Sequence, residues 1–103
     1  MLDEAQTNIL AETFRLMGDP SRLRILLACL EEPHSVGEIA ASLQLSPSLV
    51  SHHLRLLRAA RILRPERHGK QVFYVAADQH VRSVLADMVA HVREPAATAR
   101  QVA

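Results

Sequence analysis

The sequence predicts a mainly α-helical fold with one β-hairpin, in the order α-α-α-α-β-β-α, as a single domain over residues 1–103. Three observations carry this prediction. The chain is 49% hydrophobic but only 3% aromatic, which is typical of aliphatic helices rather than of a β-sandwich. Asp19-Pro20 and Ser46-Pro47 each place a capping residue before a proline, a signal for a helix start. Gly69 separates two short strand-like runs, which indicates a hairpin turn.

Composition and charge exclude several kinds of protein. The net charge is only +1, so any nucleic-acid surface must come from local placement of charge. The N-terminus lacks a basic segment before an apolar run, and the longest wholly apolar run, residues 25–30, is too short to cross a membrane. Cys29 is the only cysteine, which rules out an internal disulfide. We therefore expect a cytoplasmic protein with no membrane partner and no organic cofactor.

The first two predicted helices are amphipathic. The first runs from about Asp3 to Met17, and its apolar side consists of Ile9, Leu10, Phe14 and Met17. The second is capped by Asp19 and is predicted to face the core through Leu23, Leu26, Leu27 and Leu30. Cys29 lies among these leucines; a sensing thiol is possible there, but a lone thiol in such surroundings is usually a small buried hydrophobe.

The third and fourth predicted helices form a helix-turn-helix unit. Ser35 and Glu38 have the spacing of a capping box at the start of a short helix. After a brief turn at Gln44-Leu45, Ser46 caps a fourth helix that is predicted to run to about Arg61. A short helix joined to the next by so brief a turn is typical of this motif.

The fourth helix has an apolar and a polar face. Val50, Leu54, Leu57 and the stem of Arg61 are predicted to face the core, with His53 turned partly towards it and His52 outward. The segment from Ser46 to Arg64 contains no acidic residue, which favours contact with nucleic acid over an ordinary solvated face. Polar side chains near a helix N-terminus can contact base edges, and arginines further along suit phosphates. The candidates on this helix are Ser46, Ser48, Ser51, His52, Arg55 and Arg58.

The predicted hairpin follows at once, with basic residues around its tip. Pro65 in its first strand is acceptable because a two-stranded ribbon consists of edges. A basic hairpin after a recognition helix is a wing, whose expected role is contact with phosphates or an adjacent minor groove. The DNA-binding candidates here are Arg67, Lys70 and Gln71.

A last helix is predicted between Asp78 and Glu94, ended by Pro95, after which we expect a frayed segment. His80 and His91 are eleven residues apart, so they share a face but lie roughly 16 Å apart along the axis. A zinc–nitrogen bond is about 2 Å long, so one helix cannot bring both to a single ion. The apolar stripe of this helix consists of Val81, Val84, Leu85, Met88 and Val92.

Two antiparallel copies of this helix would complete a metal site. Asp78 and His80 of one copy would then lie beside His91 and Glu94 of the other, giving two equivalent sites per dimer. All four are ordinary ligands for an ion such as zinc. The alternative is a solvated polar edge on which Asp78 serves only as an N-cap.

Several segments resemble the ArsR/SmtB family of bacterial metal-sensing repressors. DPSRLRILLACL, SLVSHHLRLLRAARIL and RHGKQVFYV are similar to its second helix, recognition helix and wing, and the resemblance covers nearly the whole chain. The motif of Asp78, His80, His91 and Glu94 resembles the family's zinc site, which also accepts cobalt and spans the dimer. Two features depart from the family: residues 33–37 lack the cysteine pair of its arsenic, cadmium and lead sensors, and Pro47 replaces a DNA-facing glutamine of several relatives.

The resemblance implies a homodimeric winged helix-turn-helix repressor that dimerises through its N- and C-terminal helices. Its apo form would bind a pseudo-palindromic operator in double-stranded DNA, and zinc would release it, with cobalt and nickel as the other candidate effectors. Nickel sensing in this family is expected to need further ligands, commonly histidines of an N-terminal tail, and residues 1–9 contain none. The alternative is a family member without a metal site that responds to another signal. An enzyme is not supported, because the sequence has neither a glycine-rich phosphate loop nor a nucleophile motif.

Overall fold

Four helices, a β-hairpin and a fifth helix follow one another in the computed structural model, which describes residues 1–95. This order is the predicted one. The expectation of a frayed segment after Pro95, and residues 96–103 of the predicted domain, lie outside the described residues. The elements are α1 (Glu4–Met17), α2 (Pro20–Glu31), α3 (Val36–Leu43), α4 (Pro47–Ala59), β1 (Leu63–His68), β2 (Gln71–Ala76) and α5 (Gln79–Arg93).

Every helix begins at a short polar residue whose side chain accepts a hydrogen bond from the backbone N–H three residues later. Such caps satisfy amides that have no partner within the helix, and each typically contributes about 1 kcal/mol. The capping box of Ser35 and Glu38 is confirmed, as are the prolines at the first positions of α2 and α4. The five capping residues are Asp3, Asp19, Ser35, Ser46 and Asp78.

The core lies between α2, α3, α4 and the start of β1. On the predicted core face of α4, Val50, Leu54 and Leu57 are confirmed as buried. The predicted core face of α2 is partly wrong: Leu26 is buried, whereas Leu23, Leu27 and Leu30 are only half-buried. This segment of α2 is apolar nearly all round, so periodicity alone could not select the face that packs on α3 and α4. The fully buried side chains are Ile25, Leu26, Cys29, Ile39, Val50, Leu54, Leu57, Ile62 and Leu63.

The end of α4 also differs from the prediction. The helix stops at Ala59, and Arg61 is exposed in a left-handed conformation (φ 61°) instead of packing its stem in the core. This turn brings Ile62 and Leu63, each 1% exposed, into the core. The N–H of Ile62 donates to the carbonyl of Leu57 (2.9 Å), which fixes the chain as it enters β1.

The two strands pair antiparallel from Leu63 opposite Ala76 to His68 opposite Gln71, around a turn in which Gly69 has a φ of 64°. The predicted wing is thereby confirmed as a structural element. One further pairing was not predicted. The backbone N–H of Tyr74 donates to the carbonyl of His34 (2.8 Å), which ties the wing to the connection between α2 and α3.

Helix α5 contacts the rest of the chain through few side chains. Leu85 is buried, and Arg82 Nη1 donates to the carbonyl of Leu30 at the end of α2 (2.6 Å). In contrast, Phe14 of α1 and Met88 of α5 are 55% and 51% exposed. The apolar stripes predicted for α1 and α5 therefore lie largely at the surface of the single chain. No helix in the part of the chain that the structure describes is long and apolar enough to span a bilayer.

Candidate metal site and nucleic-acid interface

The four metal-ligand candidates lie at the two ends of α5, and all are exposed. Asp78 has extended backbone (φ −158°, ψ 178°), so it precedes the helix as its N-cap. Its Oδ1 accepts the N–H of Val81 (2.9 Å), which leaves the second carboxylate oxygen for another partner. Asp78 can therefore serve as N-cap and ligand at once.

The other end of α5 carries His91 and Glu94. Glu94 is the C-cap, and its N–H donates to the carbonyl of His91 (3.2 Å). Among the described residues of one chain, no group of three or more histidine, cysteine or acidic side chains could hold a metal ion. A single chain thus does not assemble the site, and its completion by a second chain stays a prediction.

An apolar groove adjoins the first pair of candidates. Leu10 and Phe14 of α1 line this groove together with His80 and Val84 of α5. The exposed apolar surfaces of α1 and α5 are therefore continuous with each other and with one metal-ligand candidate. Surface of this kind marks a protein interface more often than a solvated face.

One acidic residue on this face was not singled out from the sequence. Asp87 is exposed and lies one turn before His91, at the four-residue spacing of helix neighbours. The helical repeat could have predicted this position, because Asp87 lies seven residues after His80 and four residues before His91. Because Asp87 adds a negative charge to α5 without belonging to the predicted set, it provides a matched control for that set.

Helix α4 presents the predicted polar face. His52 is exposed while His53 is only 7% exposed, so the assignment of these two histidines is confirmed. Ser51 is half-buried at the edge of the face, and Val50, Leu54 and Leu57 pack on the opposite side. The remaining candidates, Ser46, Ser48, Arg55 and Arg58, are exposed.

The tip of the wing is basic, but strand β1 of the wing holds one carboxylate, Glu66. Arg67, Lys70 and Gln71 are exposed, and Arg67 Nη1 donates to the carbonyl of Gly69 (3.3 Å). Glu66 Oε1 lies 2.7 Å from His68 Nε2, and Glu66 Oε2 lies 3.5 Å from Arg64 Nη1.

The hydrogen bond from His68, assisted by the charges of His68 and Arg64, lowers the pKa of the Glu66 carboxyl below its usual value. Glu66 therefore offsets part of the positive charge of the wing. No role was predicted for Glu66. The contacts of Glu66 could have been predicted from the alternation of side chains along a strand, which places Arg64, Glu66 and His68 on one face.

Cys29 is 1% exposed, and burial raises the pKa of its thiol to about 12. A thiol with such a pKa stays protonated at neutral pH, and the thiolate is the form that binds metal or reacts. The interpretation of Cys29 as a packing residue is confirmed by its burial. The ligands available to a metal are accordingly nitrogen and oxygen atoms.

Comparison with known proteins identifies the family to which this chain is similar. The profile of the bacterial regulatory protein arsR family matches residues 19–64, from the cap of α2 to the second residue of β1. The transcriptional repressor SmtB homolog of Synechocystis sp. is 40% identical over 93 residues, covering 90% of this chain and 69% of its own length.

A second relative, the HTH-type transcriptional regulator KmtR of Mycobacterium tuberculosis, is 34% identical, covering 85% of this chain and 68% of its own length. Among solved structures, the cadmium metal-sensor CMTR of Mycobacterium tuberculosis superposes with a TM-score of 0.69. It is 37% identical, and the alignment covers 82% of this chain and 94% of that one.

Proposed function

Because the chain belongs to the arsR family of bacterial regulatory proteins, we propose that it is a homodimeric repressor that zinc releases from operator DNA. As a member of this family it is a DNA-binding transcriptional regulator and not an enzyme. Its place of action is the cytoplasm, where bacterial operators lie. The observation that carries the metal response is the exposure of Asp78, His80, His91 and Glu94 at the two ends of α5, beside an uncovered apolar surface.

The apolar surface argues for a partner of the same sequence. Val92 of α5 and Ile9 of α1 are 75% and 68% exposed, which is costly for large aliphatic side chains unless another surface covers them. A two-fold axis relating two antiparallel α5 helices would cover these residues. The same axis would bring Asp78 and His80 to the His91 and Glu94 of the second subunit.

The chemistry of the donors favours zinc. Two imidazoles and two carboxylates match the nitrogen and oxygen ligands that zinc accepts in tetrahedral geometry, and cobalt commonly takes the same place. Cadmium, the ion of one relative, is softer and favours thiolates. The only thiol of this chain, Cys29, is buried and protonated.

The proposed DNA contacts divide between two elements. The N-terminal part of α4 would enter the major groove, where Ser48, Ser51 and His52 can meet base edges. Arg55 and Arg58 on α4, with Arg67 and Lys70 on the wing, would contact phosphates. In the dimer the two copies of α4 would enter successive major grooves roughly 34 Å apart.

Metal and DNA binding would be coupled because both depend on how the two subunits sit together. Ligands from both subunits would fix the relative placement of the two α5 helices, and with it the separation of the recognition helices. If the zinc-bound separation differs from the one the operator needs, each ligand weakens the other reciprocally, typically by about 1–3 kcal/mol.

Zinc stoichiometry of the purified protein tests the metal site. We expect two zinc ions per dimer by equilibrium dialysis, and loss of tight binding in His80→Ala and His91→Ala. His68→Ala, which removes an exposed histidine from the wing, is the matched control and should still bind two ions. Wild-type protein that binds no zinc, yet binds DNA, would instead indicate a family member that responds to another signal.

A further inference from the structure

Arg22 joins three parts of the chain. Its Nη1 donates to the carbonyl of Leu16 in the last turn of α1 (3.0 Å), and its Nε donates to His53 Nδ1 in α4 (3.3 Å). Its own backbone N–H donates to the capping carboxylate of Asp19 (2.9 Å). One side chain at the start of α2 thus holds the end of α1 and the middle of the recognition helix together.

His53 is the only buried polar or charged residue among those that the structure describes. Because its Nδ1 accepts from Arg22, the neutral ring must carry its proton on Nε2. Burial lowers the pKa of His53, the positive charges of Arg22 and then His52 lower it further, and the carboxylate of Asp19 opposes them. His53 is therefore neutral at physiological pH and can keep the bond.

We propose that Arg22 and His53 form a positioning bridge that transmits the placement of helix α1 to the recognition helix α4, and that protonation of His53 opens this bridge. Both are positioning residues, because neither lies on the proposed DNA face. The inference rests on the proposed function in so far as α4 is taken to read DNA.

The position of the bridge favours a role in orientation over one in bulk stability. Val50, Leu54 and Leu57 already bury α4 against the core, so the helix would stay packed without the bridge. Apolar contacts are not directional, however, whereas the bond to Arg22 fixes the rotation and the height of α4 at one point. His53 directly follows His52 in the chain, so a small rotation there displaces the outward face.

The other end of the bridge is the proposed dimer element. The carbonyl of Leu16 belongs to α1, whose exposed apolar residues form part of the surface that we propose a second subunit covers. A shift of α1 on dimerisation or metal binding would pull on Arg22 and so on α4. This is a route from the dimer interface to the recognition helix that does not pass through α5.

Protonation has a definite sign. A protonated His53 has no acceptor at Nδ1 and places a second cation against the Arg22 guanidinium, and within residues 1–95 only the carboxylate of Asp19 is near enough to compensate. DNA binding should therefore weaken as pH falls. Protonation of the exposed His52 would act in the opposite direction, because it adds positive charge towards the phosphates.

Three variants separate the bridge from simple packing. His53→Gln keeps a hydrogen-bond acceptor that cannot titrate, whereas His53→Leu keeps the bulk but removes the acceptor. Arg22→Lys keeps the charge but cannot donate from the two arms that reach Leu16 and His53. Circular dichroism would verify that each variant is folded.

The experiment measures fluorescence anisotropy on a labelled duplex that the wild-type protein has enriched from a random-sequence library, with chelator present. Between about pH 7.5 and pH 5.5 we expect wild-type affinity to fall by less than about tenfold, because the pKa of His53 lies below its ordinary value. His53→Gln should keep the affinity at the higher pH and lose the fall, while His53→Leu and Arg22→Lys should bind weakly at both. An identical pH profile for wild type and His53→Gln would overturn the proposal.

If the protein enriches no duplex, the proposed function is contradicted but the bridge is not. The bridge can then be tested by a measurement that needs no DNA. In the free protein, the ring of His53 can be titrated by NMR. Removing the neighbouring cation in Arg22→Met should move that titration to higher pH. An unchanged titration would mean that the two side chains are not in contact, and the bridge would be wrong.

Discussion

Oδ1 of Asp78 accepts a hydrogen bond from the backbone N–H of Val81 over 2.9 Å, so the first metal-ligand candidate is also the cap of α5. The proposed ligand role would use the other oxygen of the same carboxylate, so it would not compete with the cap. The two roles can also be separated by mutation, since asparagine caps a helix as well as aspartate does.

We predict that Asp78→Asn weakens zinc binding without destabilising the fold. The amide keeps the cap but loses the charge, so zinc affinity should fall by about tenfold, or about 1.4 kcal/mol. Asp78→Ala should show the same zinc defect and lose about 1 kcal/mol of unfolding free energy in addition. Asp87→Asn removes the same charge from α5 and is the control. Isothermal titration and urea unfolding measure the two quantities, and equal zinc affinity in Asp78→Asn and wild type would exclude Asp78 as a ligand.

The carboxylate of the wing should restrain DNA binding. Glu66→Gln frees His68 and Arg64 from their ion pairs and removes a negative charge from the surface that we propose faces phosphates. We expect tighter binding to DNA of any sequence and a salt dependence steeper by up to about one unit. Glu12→Gln, which breaks an ion pair with Arg15 on α1, is the matched control. Weaker binding by Glu66→Gln would mean that Glu66 instead orders the wing for contact.

The basic residues of α4 and the wing should contribute affinity but little specificity. Arg55→Ala, Arg67→Ala and Lys70→Ala should each weaken binding to all sequences and lower the salt slope by up to about one unit. Arg15→Ala, an exposed arginine of α1, should leave the slope unchanged. Anisotropy titrations over a series of salt concentrations measure this slope. Slopes equal to the wild-type value in all three variants would remove both elements from the interface.

Base discrimination should lie in the neutral part of the α4 face. Ser51→Ala and His52→Ala should reduce the preference for the enriched duplex over a scrambled one, while the salt slope stays close to wild type. Competition titrations with the two duplexes measure this ratio. An unchanged ratio in both variants would place sequence recognition elsewhere.

The element order was predictable because its signals are local. Each cap lies three residues from the amide that it satisfies, and the apolar spacing of α4 and α5 repeats within single helices. Contacts distant in sequence were not predictable in this way. Arg22 and His53 are 31 residues apart, and the pairing of His34 with Tyr74 joins segments that no local pattern relates.

The residues of the candidate metal site could be predicted from the sequence, but their arrangement around one ion could not. The order and spacing of Asp78, His80, His91 and Glu94 come from the sequence, and the structure places these residues at opposite ends of one helix. Their distances across a dimer depend on a second chain. The apolar residues of α1 and α5 are a second example. Their spacing predicts an apolar face on each helix, but it does not identify the surface that would cover these exposed residues.

Cys29 should be chemically inert in the native protein. Its burial and its raised pKa of about 12 keep the thiolate scarce, so a thiol reagent at about pH 8 should label it only after unfolding. Mass spectrometry before and after denaturation measures the labelled fraction. Cys29→Ala should retain zinc binding. Rapid labelling of the folded protein would reopen a sensing role for the thiol.

The most direct test of the account is a zinc titration of the protein–DNA complex, followed by anisotropy of the labelled duplex at fixed salt and by light scattering for the mass of the protein. Wild-type protein should lose affinity by an amount equal to about 1–3 kcal/mol while it remains a dimer. His91→Ala should bind DNA like wild type and ignore zinc, and Asp87→Asn should respond like wild type. If zinc tightens the wild-type complex, or dissociates the dimer before releasing the DNA, the account is contradicted.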